Sequence, residues 1–323
     1  MWQYIARRLA QGLAVIGLVV TATFVLIRIA PGDPFAASLD SPTVSAETRA
    51  QWTERYGFDQ PVPVQFARYL ATIVQGDFGY STSQRRPVGD VLADALPNTL
   101  LLMLVAVVLS FALGIAIGVF QAVRRGSAHD RILGGVTLFF YSMPDFWLAL
   151  MMMLTFAYWI PLFPVTGMVD AVMYPYWPFW RQMLDRAHHL VLPALTLTLL
   201  TAAVIARYQR AAMLDVVHDE YVRTARAKGL AEQAIVRRHA LRNALLPVIT
   251  LFSLAFPALL GGAVFVERVF SWPGMGFLTF NAIMTRDYHL VTGSVIVGGA
   301  MVVVGSLLAD VLYAAADPRL RRA

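Results

Sequence analysis

The chain has 323 residues, of which 58% are apolar and 14% charged, with a mean hydropathy of +0.61 and a net charge of +6. A soluble domain carries roughly a quarter charged residues, so a soluble enzyme, a disordered tail and a secreted module are all excluded. With no cysteine, disulfides, thiolate zinc sites and thiol catalysis are excluded too, and the basic surplus reads as membrane-protein loops, with no nucleic-acid partner expected.

Apolar runs long enough to cross a hydrocarbon slab of ~30 Å predict an all-α polytopic membrane protein. Its six spanning helices are expected at residues 9–29, 98–123, 133–159, 190–206, 244–266 and 290–315. The first is expected to remain uncleaved, because its apolar run exceeds the roughly 7–15 residues of a signal peptide. Alternate connecting segments (1–8, 124–132, 207–243 and 316–323) hold 16 of the Lys and Arg residues, against 9 in the much longer set 30–97, 160–189 and 267–289. That asymmetry predicts cytoplasmic N- and C-termini. The organisation expected is an N-terminal transmembrane helix (1–30), an extracytoplasmic loop or cap (31–97), a five-helix core (98–315) with a cytoplasmic loop at 207–243, and a cytoplasmic tail (316–323).

Two outer segments carry more than a connection needs. Residues 30–97 include eight acids, and 46–56 has helical composition with a Gly57 stop. Residues 174–180 hold five aromatics, which suit either a headgroup-level belt or a surface for a ligand-delivery protein.

The inner segment 207–243 has eight cations, four acids and one glycine, Gly229. Glycine suits the left-handed residue where a helix stops, so two short helices are expected on either side of it. In the first, Tyr221, Ala225 and Lys228 recur at i, i+4 and i+7, with Thr224 beside them. Such a small-residue face fits close docking against another protein; a cationic loop lying on anionic membrane lipid is the other reading.

Among single residues, Asp145 directly follows Pro144 inside the third apolar run, where a carboxylate costs at least ~2.5 kcal/mol on insertion scales. It faces a pore, near a substrate ammonium group, or else marks a solvated kink or a helix-packing hydrogen bond. Arg28 and Glu267 flank the outer membrane face and read as a structural or gating pair. Asp310, near a helix end, reads as structural. Gly114 and Gly118 form a GxxxG pair suited to close helix packing. His188 and His189 have no Cys or acidic cluster beside them, so no metal site is expected. No catalytic constellation occurs.

The run Glu220-Tyr221-Val222-Arg223-Thr224-Ala225-Arg226-Ala227-Lys228-Gly229-Leu230, with Arg242-Asn243-Ala244-Leu245-Leu246-Pro247 after it, resembles the coupling loop of binding-protein-dependent ABC importers, nearest to permeases of the dipeptide/oligopeptide/nickel group. Of the wider importer triplet Glu-Ala-Ala followed by glycine, only Ala225 and Gly229 fit, which is the form the peptide subgroup takes. Further stretches resemble the same subgroup in order: Arg28 to Pro34, Gly76 to Ser81, Leu96 to Leu100, Ser142-Met143-Pro144 with Phe146-Trp147, Glu267 to Gly276, and Asp317-Pro318-Arg319.

The resemblance implies a type I ABC importer permease fold. It implies a second related permease subunit, two ATP-binding cassette subunits, an extracytoplasmic substrate-binding protein and a peptide substrate, in a bacterial inner membrane. Coupling to the ATPase is expected through Asp219, Glu220, Tyr221, Thr224, Ala225, Ala227, Lys228 and Gly229. No cofactor is expected on this chain, and ATP and Mg are expected in partner subunits. The single lysine, Lys228, has no Ser or Thr after its glycine, so no phosphate loop can form. Nickel and glutathione-like solutes remain alternative substrates. A proton-driven secondary transporter would favour several mid-membrane ionisable groups and inverted repeats, and a non-transporting scaffold would leave the acidic outer loop without a purpose.

Overall fold

In a computed structural model the described residues are 2–29, 60–252 and 263–316. They are helical apart from turns and one two-residue hairpin, Tyr80–Ser81 with Arg86–Pro87, antiparallel with Ser81 opposite Arg86. Among the described residues, four helices are long and apolar enough to cross a membrane, or five if one sharply bent pair counts as a span. The expected helix at 46–56, part of the expected fifth span and the tail motif 317–319 lie outside the described residues. The chain divides into two units, the first being Met1–Thr99 with Pro273–Val303, the second Leu100–Trp272 with Val304–Ala323.

In the first unit, α1 (Trp2–Ile29) and α2 (Val62–Val74) are joined by ring contacts from Phe24 to Phe66 and Tyr69, with centroids 5.2 and 5.3 Å apart. The helix α3 (Val88–Val123) begins ten residues before the expected Asn98. Pro97 reads as a boundary in sequence, yet Val88, Val91, Leu92 and Ala95 form a buried stripe on Met275, Leu278, Ala282 and Leu290, and this packing extends the helix through the proline.

Three of the stretches that carry the resemblance are tied down in this unit. Asn98 Nδ2 donates to Pro273 O (2.9 Å), and Met275 N donates to the buried Thr99 Oγ1 (2.7 Å). The buried Asp287 accepts from Ser81 Oγ (2.6 Å), Ser83 N (2.9 Å) and Ser83 Oγ (2.8 Å), while its other oxygen caps the following helix at Leu290 N (3.1 Å). One side chain thus ties a hairpin to a helix start.

The second unit is built on α6 (Phe179–Val216), longer at both ends than the predicted 190–206. Its polar ends hide the helix from a hydropathy reading. Gly114 and Gly118 of α3 lie against α6: a Cβ on Gly118 would stand 2.6 Å from Ala206 O, and one on Gly114 would stand 2.9 Å from Ala202 O. The GxxxG pair is therefore a backbone-to-backbone packing site.

The third apolar run is not one straight span. The helix α4 (Ala128–Tyr141) stops at Ser142-Met143-Pro144, and α5 (Asp145–Met153), continued by a π-turn at Leu154–Trp159, leaves at 105°. A proline disfavours helical geometry at the residue before it, and Pro144 itself is extended at the start of α5.

Candidate functional site: the Gly229 turn and the α4–α6 groove

After α6 the chain forms α7 (Glu220–Ala227), turns, and resumes as a helical run from Glu232 through a π-turn at Ile235–Ala240 to Leu241–Ala244. The turn has the geometry expected of glycine. Gly229 has φ +76, its N–H donates to Arg226 O (2.9 Å), and the Leu230 N–H reaches back to Ala225 O (3.4 Å). This 5→2 and 6→1 pair is a Schellman stop, which needs a left-handed residue at that point.

What α7 rests on is inside the chain. Val222 and Ala225 are buried against Ile235 and Val216, forming a small core of their own. Ala225 therefore faces inward, although sequence spacing grouped it with Tyr221 and Lys228 on an outward face. A small residue there lets α7 approach Ile235 closely. The outward face holds Asp219, Glu220, Tyr221, Thr224, Ala227 and Lys228, all exposed.

Hydrogen bonds fix this arrangement. Asp219 O accepts from Val222 N and Arg223 N (3.0 and 3.1 Å), Thr224 Oγ1 donates to Glu220 O (2.9 Å), and Asn243 Nδ2 donates to Tyr221 Oη (2.7 Å). Across the turn Arg226 grips Glu232. Hydrogen bonds from Arg226 hold the Glu232 carboxyl below the usual carboxylate range. The exposed Glu220–Arg223 pair, at 3.6 Å, adds little.

A second tie is invisible in sequence because its partners are 80 residues apart. Arg210 of α6 donates from Nε and Nη2 to the two Asp130 oxygens of α4, each at 2.9 Å. Gly126 N adds a bond to Asp130 Oδ2 (3.0 Å). A bidentate guanidinium–carboxylate pair fixes orientation as well as distance, so α4 and α6 are held at one end.

Asp145 stands in the first turn of α5 rather than at mid-helix, where a carboxylate complements the helix dipole, and its Oδ1 accepts from Phe146 N (2.7 Å). It lines a cleft of about 460 Å³ with Phe111, Phe140, Tyr141, Thr201 and Val204. Glu267 is wholly buried on a short helix (Val264–Val269) whose Val266, with the following Phe270 and Trp272, belongs to the core. The side chain of Arg28 and that of Asp310 lie outside the described residues. His188 Nε2 meets Leu162 O (2.7 Å), and His189 Nδ1 lies 3.3 Å from Asp185 Oδ1.

Apolar helices long enough to cross a membrane, with a compact helical turn beyond the end of α6, are the features of a polytopic membrane protein. The family described as "Binding-protein-dependent transport system inner membrane component" matches residues 114–322, and its N-terminal companion matches residues 1–103. The chain belongs to this family of inner-membrane transport components. It is 40% identical over 321 residues to the oligopeptide transport system permease protein AppB of Bacillus subtilis (strain 168), and 38% identical over 334 residues to the di/tripeptide transport system permease protein DppB of Pseudomonas aeruginosa (strain UCBPP-PA14). In both cases 99% of each chain is covered. A solved structure, of inward-facing MetNI methionine ABC transporter, superposes with a TM-score of 0.53 at 20% identity, covering 70% of this chain and 96% of that one. It shares the fold.

Proposed function

We propose that this chain is one of the two membrane subunits of an ATP-driven importer, and that peptides handed over by an extracytoplasmic binding protein cross the membrane along it. The observation that carries the substrate class is full-length similarity to permeases named for oligopeptides and for di- and tripeptides. A second related permease completes the path, and two ATPase subunits, with ATP and Mg, drive it.

In this reading the outward face of α7 meets an ATPase subunit. The internal core under Val222 and Ala225, the Schellman stop at Gly229 and the Arg226–Glu232 pair make α7 a stiff lever. Movement of the motor would then reach α6, three residues upstream, instead of dissipating in a loop. Cation asymmetry supports placing this segment and both termini in the cytoplasm. The Ser81–Asp287 clasp then lies at the outer end of the first unit, and Arg28 and Glu267 remain candidates for gating.

The test is uptake of a labelled dipeptide by vesicles carrying the whole assembly. ATP-dependent uptake that requires the binding protein is expected. Uptake by this polypeptide alone, without nucleotide, would refute the reading.

A further inference from the structure

Three clefts of the second unit adjoin along one side of α4 and α6. The first, holding Asp145, shares Tyr141 and Val204 with a second, lined also by Arg207, Tyr208 and Ala211; the second shares Arg207 with a third, beside Arg131 and the Arg210–Asp130 pair. The row of clefts has a carboxylate at one end, apolar and aromatic side chains in the middle, and arginines at the other. Arg207 lies over the Tyr141 ring, 4.8 Å from its centroid, which holds the guanidinium along the groove wall.

Neither Asp145 nor Arg207 has an ionic partner among the described residues. Arg210 differs, since Asp130 neutralises it. Asp145 falls within the third apolar run, where ionisable side chains line water-filled paths or bundle interiors rather than lipid, and Arg207 stands where α6 passes into the inner segment, so the clefts carry one charge of each sign toward the inner face. Thr201, which lines the same cleft as Asp145, and Arg207 are six residues apart on α6, a rise of roughly 9 Å. Two or three extended residues span about 7–10 Å.

We infer that Asp145 and Arg207 are the two charge-reading points of this subunit's share of the translocation path, meeting respectively the ammonium and the carboxylate of a short zwitterionic peptide. The inference rests on the proposed function and names the specificity-determining groups within it. Phe140, Tyr141 and Val204 between them offer contact to the peptide's side chains without selecting any one of them.

The natural chain has no cysteine, which permits a direct test in membranes carrying the assembled transporter. Cysteines are placed singly at Thr201 and Ala211, and reacted with a cationic and an anionic methanethiosulfonate, each rate normalised to a free thiol. Thr201→Cys is expected to prefer the cationic reagent and Ala211→Cys the anionic one, each by about fivefold, since a groove with low-dielectric walls focuses local potential. Asp145→Asn should abolish the first preference and Arg207→Gln the second, while Asp145→Glu keeps the first. A free dipeptide should slow labelling at both positions, its N-acetyl form only at Ala211→Cys and its amide only at Thr201→Cys. No labelling at either position, preferences that survive neutralisation, or indifference to the peptides would overturn the inference. None of these readouts depends on uptake, so a failure here is separable from a failure of the importer reading.

Discussion

Arg226 and Glu232 meet in a two-pronged ion pair, Nη2 to Oε1 at 2.7 Å and Nε to Oε2 at 3.2 Å, that closes the turn around Gly229. The backbone there already reverses through a left-handed residue, so the pair links two helices that the turn has set side by side.

Gly229 should be replaceable by conformation, not by size. Nothing lies within 4 Å of where its Cβ would be, so only the positive φ resists substitution. Gly229→Asn is expected to keep most coupled ATP hydrolysis, because Asn tolerates this region. Gly229→Val should lose most of it. Peptide uptake per ATP hydrolysed is the measurement, and equal loss in both variants would point to a steric role instead.

Ile235→Ala should free α7 while leaving the spans folded. Ile235 is fully buried against Val222 and Ala225, and large-to-small changes of this kind cost about 2–5 kcal/mol where the site is well packed. Amide exchange in Glu220–Ala227 should rise sharply, with exchange in α6 near Leu192 unchanged. Ala225→Leu should act in the same direction by overpacking.

Acidification should loosen the same turn. The Glu232 carboxyl is held below its ordinary value by Arg226, so the pair contributes fully above the unfolded carboxylate range. That contribution disappears as pH falls through the lowered value. Both groups are substantially exposed, which keeps the effect small and sensitive to salt. Exchange at the Gly229 and Leu230 amides, corrected for intrinsic rates, should increase between pH 7 and pH 3 in the natural chain and stay flat in Glu232→Gln.

Helix packing at the GxxxG pair should be position-specific. Gly118→Ala places a methyl group 2.6 Å from Ala206 O and 3.0 Å from Arg210 N, both backbone atoms of α6. Gly135→Ala meets nothing and should gain slightly from helix propensity. Thermal unfolding of the detergent-solubilised protein should show a lowered Tm for the first and no loss for the second.

Asp287→Ala should be among the more damaging single changes in the first unit. It removes a buried side chain that accepts from Ser81, Ser83 and Leu290 N. Hydrogen bonds to charged groups contribute about 1.5–3 kcal/mol, and the buried Ser81 hydroxyl would lose its acceptor. Ser83→Ala, at an exposed position, should cost far less in the same unfolding experiment.

The helical, membrane-spanning class was legible in the order of residues, because bilayer thickness acts on long apolar segments. Gly229 was legible because few residues adopt positive φ. A kink after Pro144 was one of the readings open for Asp145, but its size was not legible: an apolar run reads the same whether straight or bent by 105°. That bend moves Asp145 from mid-helix to a helix start. Ala225 was assigned to the wrong face because spacing gives the side of a helix, whereas what covers that side depends on Ile235, ten residues on. The Arg210–Asp130 and Ser81–Asp287 contacts join residues 80 and 206 apart, and no local pattern marks such pairs. The stretches around Gly76–Ser81, Leu96–Leu100 and Trp272–Gly276 stood out by resemblance, while their use as fasteners in the first unit required coordinates.

The most direct measurement is a cross-link from α7 in the assembled transporter. A cysteine at Ala227, exposed on the outward face, should form a disulfide or short bifunctional link to an ATPase subunit, with a yield that changes when ATP is bound. A cysteine at Tyr176, in the aromatic segment assigned to the other side, should form none. A link from Ala227→Cys to the binding protein, or one from Tyr176→Cys to the ATPase, would contradict the transmission of motor movement through α7.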